Sequence, residues 1–440
     1  MRSDDKNKRV FRGLTSHCLS ENLKESLGSR IYALQTARSR ARVTMATPIG
    51  DNVVVVDYDD DFFKAGYCIP ERDPQVVLPT AVRRVGDGSE TFRPIASRQV
   101  QDWDQLESLY AHAFYRQLGW VEGDEGAVLV SEPLFTSRAD RERLAQTLFE
   151  SFNVSGLYVA EQPALALYGL GKTSGVSVDV GHAVTDVAPV VDGAVVAAAA
   201  RRTDVGKRDV SAALGAALGA AGARLSEARL DAARDAACVV DVRPRDAAGD
   251  GNEGTTTRGG GDATDETSDL ETDVRLPDGT AVSVPARARR LCAEAVFSPA
   301  RHAALAGDAL AGGPSVWRFG DKRETYGVSD AVAAAVHACA PEQRLACLDA
   351  VAVHGGWAGP AWAAGGGSFE ARVLGDLEDA LPPSARPVGA AAPEHMPASA
   401  GRHAAWFGGA LLGKMVFAQN HHVTRFEYHE NGPGAVTKRF

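Results

Sequence analysis

The sequence predicts an α/β protein with two lobes of similar plan. From Asn52 onward, short apolar runs alternate with amphipathic helical stretches, which is typical of sheets covered by helices. A strand-and-turn pattern also occurs twice, as VVVVD at residues 53–57 and as VSVD at residues 176–179. Each is a β-branched run that ends in aspartate before a turn and a second strand, as expected when two lobes share one architecture.

Composition narrows the class of partner. The 440 residues are 45% hydrophobic and 24% charged, and they contain no unbroken apolar run of the roughly 20 residues that a membrane helix needs. A formal net charge of −10 disfavours a broad nucleic-acid-binding surface. The six cysteines lie far apart without metal-ligand spacing, which indicates a reducing compartment. We therefore expect protein partners, with no membrane contact and no sequence-specific nucleic-acid binding.

Cap residues predict two core-packing helices. Asp102 stands before an apolar helical face that begins at Trp103, and Ser137 with Asp140 resembles a capping box. Two other segments are not expected to pack into a hydrophobic core. Residues 1–44 are polar and basic, and we expect a disordered extension or a start-site artefact, whereas the Gly, Thr and Asp of residues 246–269 predict a disordered insertion.

Two aspartates mark a candidate cleft. Asp57 and Asp179 each end a buried strand, where a carboxylate is costly to desolvate unless it meets backbone amides, water or a cation. The two side chains are therefore candidates for a shared site between the lobes. The alternative is that they are unrelated strand-end residues that cap separate turns.

Several longer segments resemble the actin superfamily. Residues 158–193 are similar to the actin stretch in which a glutamine-bearing helix leads into the second phosphate hairpin, and residues 420–440 are similar to the actin C-terminus. AWFGGALL at residues 405–412 matches the Trp-x-Gly-Gly pattern before it. The segments most like the class-seven actin-related proteins of plants and green algae, a nuclear family associated with SWI/SNF-type chromatin remodelling, are residues 102–126, 152–162 and 393–409.

The resemblance implies the bilobal fold of actin, hexokinase and Hsp70, with a central nucleotide cleft. The implied boundaries are subdomain 1 at 45–79, 101–169 and 404–440, a reduced subdomain 2 at 80–100, subdomain 3 at 170–205 and 324–403, and subdomain 4 at 206–323. The short second subdomain lacks room for the loop that inserts into the next subunit of an actin filament. We therefore expect no conventional filaments.

The same resemblance implies ATP with Mg²⁺ between the lobes, its phosphates held by the amides of two hairpins. Asp57 and Asp179 would contact the metal through water. Lys64 would either reach the phosphates or neutralise the acids beside it. Arg234 and Asp235 would lie beside the nucleotide, or else on a solvent-exposed helix face. The implied nucleotide-binding positions are Asp57, Lys64, Asp179, Gly181, Arg234, Asp235, Gly355, Gly356 and Arg402.

Departures from the family pattern argue against ordinary ATP chemistry. Where actins have a Gly-Ser-Gly turn, this chain reads YDDD at residues 58–61, which repels a triphosphate. Gln162 matches the glutamine that orients the attacking water, but Asp186 stands where actins place a histidine. We expect no appreciable ATPase activity. A weakly held nucleotide and a cleft held shut by side chains both remain open.

A second implied site is a hydrophobic groove between the two lower subdomains, which would accept an amphipathic helix. Its alternative is ordinary core packing at the hinge. The resemblance implies a scaffold subunit that is nuclear and also cytoplasmic. It would bind the helicase-associated helix of a remodeller motor subunit, beside actin or another actin-related protein. Histones are further candidate partners. The other function considered is a slowly hydrolysing, actin-like cytoskeletal protein. The groove positions are Tyr168, Gly169, Gly171, Thr173, Gly193, Leu412 and Met415.

Overall fold

The computed structural model describes residues 52–70, 72–83, 91–240, 272–299, 326–356, 369–382, 388–391, 397 and 399–440. All of them belong to one compact unit, Ile49–Phe440. The extension expected at residues 1–44 and the insertion expected at residues 246–269 lie outside the described residues.

Seven strands precede the first helix of the described chain, and strands and helices are mixed after it. The strands are β1 (Val53–Tyr58), β2 (Phe62–Tyr67), β3 (Val76–Pro79), β4 (Val82–Arg83), β5 (Thr91–Phe92), β6 (Ile95–Ala96), β7 (Gln99–Val100), β8 (Ala127–Glu132), β9 (Gly156–Glu161), β10 (Gly175–Val180), β11 (Thr185–Val191), β12 (Ala194–Val195), β13 (Arg201–Thr203), β14 (Thr272–Arg275), β15 (Ala281–Val284), β16 (Val351–Gly355) and β17 (Val423–Thr424). The helices are α1 (Trp103–Ala111), α2 (Arg138–Gln146), α3 (Gln162–Gly169), α4 (Lys207–Ala220), α5 (Glu227–Ala237), α6 (Ala286–Leu291), α7 (Glu294–Phe297), α8 (Val328–Ala338), α9 (Pro341–Leu348), α10 (Phe369–Ala380), α11 (Ala404–Ala418), α12 (Arg425–Asn431) and α13 (Gly434–Arg439), with π-helical turns at His112–Gln117 and Thr147–Ser151 after α1 and α2.

The first lobe is built on a mixed sheet in the order β17-β9-β8-β1-β2-β3. Strand β1 pairs antiparallel with β2 and parallel with β8. All six residues of β1 are buried, since both faces of the sheet are covered. Ile95 of β6 belongs to the same apolar core, so the short β6–β7 hairpin is part of this lobe.

The second lobe repeats the plan. Its sheet runs β12-β11-β10-β16, with β13 also on β11. Strand β10 pairs antiparallel with β11 and parallel with β16, as β1 does with β2 and β8. The predicted duplication and the α/β, bilobal fold class are therefore confirmed.

Helices α3 and α11 lie between the two sheets. Their core joins Leu129 of the first sheet to Ala352 of the second through Leu165 and Trp406. The helices cross closely because Gly408 has no Cβ, which would collide with the carbonyl oxygen of Leu165. The strand ends that face this helical layer are thus held in fixed positions relative to each other.

The predicted helix caps are present. Asp102 accepts a hydrogen bond from the amide of Gln105 at 3.0 Å, and Ser137 accepts one from the amide of Asp140 at 3.1 Å. Helix α1 then directs Leu106 and Tyr110 into the core of the first lobe. Among the described helices, none combines the length and apolar character needed to cross a bilayer.

Candidate functional site

The carboxyl ends of β1 and β10 meet at one cleft between the lobes. The alternative of two unrelated turn caps is wrong, because Asp57 and Asp179 line the same cavity. Both are buried, at 3% and 9% exposure. The complete lining is Asp57, Asp59, Lys64, Arg98, Gln162, Asp179, His354, Gly355, Arg402, Ala404 and Ala405.

Asp57 is fully engaged within the first lobe. Its carboxylate pairs with Lys64 Nζ at 2.8 Å and accepts hydrogen bonds from Ser131 Oγ at 2.8 Å and Gln162 Nε2 at 3.0 Å. Lys64 also reaches Asp59 at 3.4 Å. Burial lowers the pKa of Lys64, but the Asp57 and Asp59 carboxylates outweigh burial and raise it, so the ammonium stays charged. The local ion-pair role expected for Lys64 is therefore present.

Each acid of the turn at residues 59–61 has its own partner. Asp59 Oδ1 accepts hydrogen bonds from the backbone amides of Asp61 and Phe62 in the same turn, at 2.7 Å each. Burial raises the pKa of Asp59, but Lys64 and two more cations outweigh it and lower the pKa to about 2. Asp61 forms an ion pair with Lys207 Nζ, from the start of α4 in the second lobe.

Asp60 binds the tip of the β6–β7 hairpin. Its two carboxylate oxygens accept from the amides of Ser97 at 3.1 Å and Arg98 at 2.7 Å. Both of these residues have positive φ, at 51° and 63°, a conformation that is costly for residues other than glycine. Two converging amides on one anion offset this cost, as in backbone nests that bind anions.

Arg98 projects from that hairpin into the centre of the cleft. Its guanidinium pairs with Asp179 Oδ1 at 2.7 Å and approaches Gln162 Oε1 at 3.5 Å. Burial raises the pKa of Asp179, yet the guanidinium and His354 outweigh burial and lower it. Arg98 thus supplies the second lobe's aspartate with a cation from the first lobe.

The remaining acid of the second hairpin is also paired. Asp186 lies opposite Asp179 in the β10–β11 register and forms a two-point ion pair with Arg202, at 2.6 and 2.7 Å. Burial raises the pKa of Asp186 despite this pair. His354, beside Asp179, shares a 2.7 Å hydrogen bond with Ser177, and burial lowers its pKa.

The groups present do not fit a metal–triphosphate complex. The amides of Asp61 and Phe62 in the first turn donate to Asp59. A Cβ on Gly181 would lie 3.0 Å from Arg98, and one on Gly356 would collide with Lys207 Nζ, so this chain's own cations fill the clearances that these glycines provide. The space left in the cleft is comparable to a single water molecule. Among the described residues, no group of three or more His, Cys, Asp or Glu side chains could hold a metal ion.

The residues implied to bind adenosine lie in two places, at the border of the cleft and on helix α5. Gly355 and the exposed Arg402 border the cleft. Arg234 is buried, so a solvated helix face is wrong for it; it donates to Ser211 Oγ at 2.8 Å and ties α5 to α4. Asp235 is exposed and pairs with Arg234 at 2.8 Å. Whether these residues bind adenosine stays a prediction.

The implied water-positioning residues are occupied by other contacts. Gln162 donates to Asp57 and, at 2.9 Å, to the carbonyl oxygen of Tyr58. Asp186 is held by Arg202. Gln162 lines the cavity of the cleft, whereas Asp186 does not belong to that lining.

The groove residues divide between core and surface. Gly169 is buried, and a Cβ there would collide with the Ala404 carbonyl oxygen, so core packing explains this residue. Tyr168 and Leu412 are half-buried on the core between the sheets, and a Cβ on Gly193 would collide with the Tyr168 hydroxyl. The residues that are exposed are Gly171, Thr173 and Met415.

Sequence reasoning missed the cations that complete the cleft. Arg98, Arg202 and Lys207 do not belong to any motif that the sequence marks. One signal was available: four acids within residues 57–61 require compensating charge from elsewhere when their strand is buried. The sequence does not say which basic residues supply it, because the pairs span 81 to 146 positions for Asp179 and Asp61.

Comparison with known proteins agrees with this architecture. The actin family profile matches residues 50–228 and 224–440. The chain is 34% identical over 403 residues to Actin-related protein 7 of Oryza sativa subsp. indica, and 32% identical over 405 residues to Actin-related protein 7 of Arabidopsis thaliana; both alignments cover 88% of this chain and 99% of the relative. Actin-like protein 7B of Rattus norvegicus is 25% identical over 410 residues, with 87% of each chain covered. The chain therefore belongs to the actin family, among its actin-related proteins.

Proposed function

We propose that this protein is a non-catalytic scaffold subunit of a nuclear chromatin-remodelling complex. It binds the helicase-associated helix of the motor subunit, with actin or a second actin-related protein as its neighbour and histones as further candidates. The observation that carries the proposal is an exposed apolar row on α11, Leu411 and Met415, which lies beside the half-buried Leu412. The likeness to Actin-related protein 7 supports the choice of complex.

The apolar row suits a helical guest. Leu411 and Met415 are 40% and 55% exposed, and residues four apart lie on one face of a helix. An amphipathic helix binds by placing apolar side chains at i, i+3, i+4 and i+7 against such a surface. Methionine adapts its shape to different guests. Tyr168 adds a half-buried aromatic ring to the same core boundary.

Absence of catalysis is part of the proposal. Actin-family proteins generally bind ATP with Mg²⁺, and hydrolysis needs a positioned water together with neutralised γ-phosphate charge. In this chain both donors of the Gln162 amide are taken by Asp57 and Tyr58. The actin resemblance implies that residues 59–61 form the first phosphate-binding turn, where their carboxylates would repel a triphosphate. We infer that the protein acts through its surfaces.

Affinity purification tests the proposal. Tagged wild type would be isolated from nuclear extract under native conditions and its partners identified by mass spectrometry. We expect a remodeller motor subunit in stoichiometric amount, lost from Met415→Glu and retained by Leu345→Glu. Leu345 is a matched control because it is also an exposed helical leucine, 64% exposed, on α9. Recovery of the wild type as a lone monomer, or with cytoplasmic filament components, would contradict the proposal.

A further inference from the structure

We propose that the acidic turn at residues 59–61, together with Arg98 and Lys207, replaces a metal–nucleotide complex, so that the two lobes are held together by this chain's own ion pairs. In this arrangement carboxylates take the place of phosphate oxygens and a guanidinium takes the place of the divalent cation. The inference concerns the cleft alone and does not depend on the scaffold role.

The first support is an internal anion in a backbone nest. Asp60 is 3% exposed and its oxygens accept from two successive amides, those of Ser97 and Arg98. Such paired amides are the device by which proteins hold phosphate groups. The carbonyl oxygen of Asp60 also accepts from Thr80 Oγ1 at 2.5 Å, so the turn is fixed from both sides. The hairpin that carries Arg98 is thereby anchored over the cleft.

The second support is an ion pair that joins the lobes. Lys207 begins α4 of the second lobe and pairs with Asp61 of the first. Their side chains are 9% and 20% exposed, so solvent and salt screen the attraction only in part. His182 Nδ1 lies 3.3 Å from the other oxygen of Asp61. One carboxylate therefore contacts two groups of the opposite lobe.

The third support is the position of Arg98. Its side chain is 3% exposed and pairs with Asp179, the residue that the family resemblance assigns to the metal. Burial lowers the pKa of Arg98, but the charges of Asp179, Asp59 and Asp186 outweigh burial and raise it, so the guanidinium stays charged. A fixed cation thus lies among the acids of both lobes, where a divalent ion would otherwise be required to balance them.

These contacts predict a cleft that is ordered without nucleotide. Every carboxylate of the turn has a cation or a pair of amides as partner, and the pairs Asp61–Lys207 and Arg98–Asp179, which cross the cleft, are largely buried. Mg-ATP would have to break them before its phosphates could reach the backbone. Closure of the lobes is therefore a permanent property of this chain, which suits a protein that presents a fixed surface.

Amide hydrogen exchange tests the inference on the full-length protein after treatment with apyrase and EDTA. The informative peptides contain Asp61 with Phe62, and Ser97 with Arg98. We expect slow exchange in both, unchanged by millimolar Mg-ATP. Asp60→Asn should speed exchange at Ser97 and Arg98 about tenfold, the factor for one weakened charge-assisted hydrogen bond. Glu227→Gln is the control, since it removes the charge of an exposed partner of Arg93, near the same hairpin in sequence, and leaves the Asp60 contacts intact.

Two hydrogen-exchange results would overturn the inference or a part of it. Fast exchange in nucleotide-free wild type, slowed by Mg-ATP, would overturn the inference and restore an ordinary nucleotide-dependent cleft. Equal exchange in wild type and Asp60→Asn would overturn the role of the internal anion. If Asp60→Asn does not fold, the comparison of wild type with and without Mg-ATP still decides.

Discussion

The two hairpins at the cleft have the same backbone plan but opposite charge arrangements. In β1–β2, Asp57 lies opposite Lys64, so the first hairpin carries its own cation. In β10–β11, Asp179 lies opposite Asp186, so the second hairpin has two acids and no cation between them. Arg98 and Arg202 supply the missing charge, and Arg98 comes from the other lobe.

This difference shows how the closure of two duplicated lobes can depend on the chain's own ion pairs in place of a bound ligand. Asp57 of the first hairpin is balanced by Lys64 of the same hairpin, whereas Asp179 of the second is balanced only while the β6–β7 hairpin lies on it. Separation of the lobes would leave Asp179 without its partner in a poorly solvated position, which is unfavourable. The charge of Asp179 in the second lobe is therefore balanced only while the two lobes are closed.

The largest effect is expected from Arg98→Met, which keeps the side chain's length and removes its charge. Asp179 would remain buried without its cation, at a cost of about 3–5 kcal/mol in the free energy of unfolding. Denaturant unfolding measures this cost. Adding Asp179→Asn should recover part of it, because the uncompensated charge is then gone.

The control for Arg98 is Arg138→Met. Arg138 is 74% exposed and forms a surface pair with Glu142, so we expect a change of about 0.5 kcal/mol or less. If both arginine variants lost the same small amount, the second hairpin would not depend on Arg98.

A smaller effect is expected from pH through Asp59. Its pKa falls from 3.8 to about 2 on folding, which corresponds to about 2 kcal/mol of stability. Because the folded-state pKa is the lower one, this contribution is present above about pH 4 and is lost as the pH falls through about 2. Asp59→Asn removes it and keeps an acceptor for the turn amides.

Urea unfolding of wild type and Asp59→Asn between pH 2 and pH 5 measures the difference. It should be largest at the upper end and vanish at the lower end. A difference that is constant across this range would mean that the charge of Asp59 is not stabilised by Lys64 and the other cations.

The pair that joins the lobes should have a coupling energy of about 1–2 kcal/mol. A double-mutant cycle with Asp61→Asn and Lys207→Met isolates it, since each variant removes one charge and keeps similar size. His182 remains near Asp61 in both, which limits the loss. Additive losses would show that the contact does not hold the lobes together.

The smallest effect on stability is expected at the groove. Met415→Ser changes a side chain that is 55% exposed, so unfolding free energy should shift by about 0.5 kcal/mol or less. The same variant should weaken recovery of the helical partner in the purification described above. Unfolding that is strongly destabilised would instead place Met415 in the core.

The fold could be predicted because its signals are local and repeated. VVVVD and VSVD are each sufficient to indicate a buried strand with an acidic end, and Asp102 and Ser137 are caps that depend on the next few residues. The same local reasoning located Asp57 and Asp179, and the actin resemblance added Lys64 and Gln162; all four line the cleft.

The partners in the cleft could not be predicted, because tertiary contacts bring them together. Arg98 is distant in sequence from Asp179, and the turn that aims it has positive φ without glycine, so no turn motif marks it. Arg234 was equally ambiguous: burial depends on how α5 packs on α4. Charge counting shows that such cations are needed, and only the fold shows which ones are used.

The most direct test of the self-contained cleft is an isothermal titration of Mg-ATP into nucleotide-free wild type. We expect no saturable heat at millimolar nucleotide, because the turn amides and the facing cations are already paired. Saturable binding with a micromolar dissociation constant would contradict the account, since a triphosphate would then have displaced the carboxylates of residues 59–61.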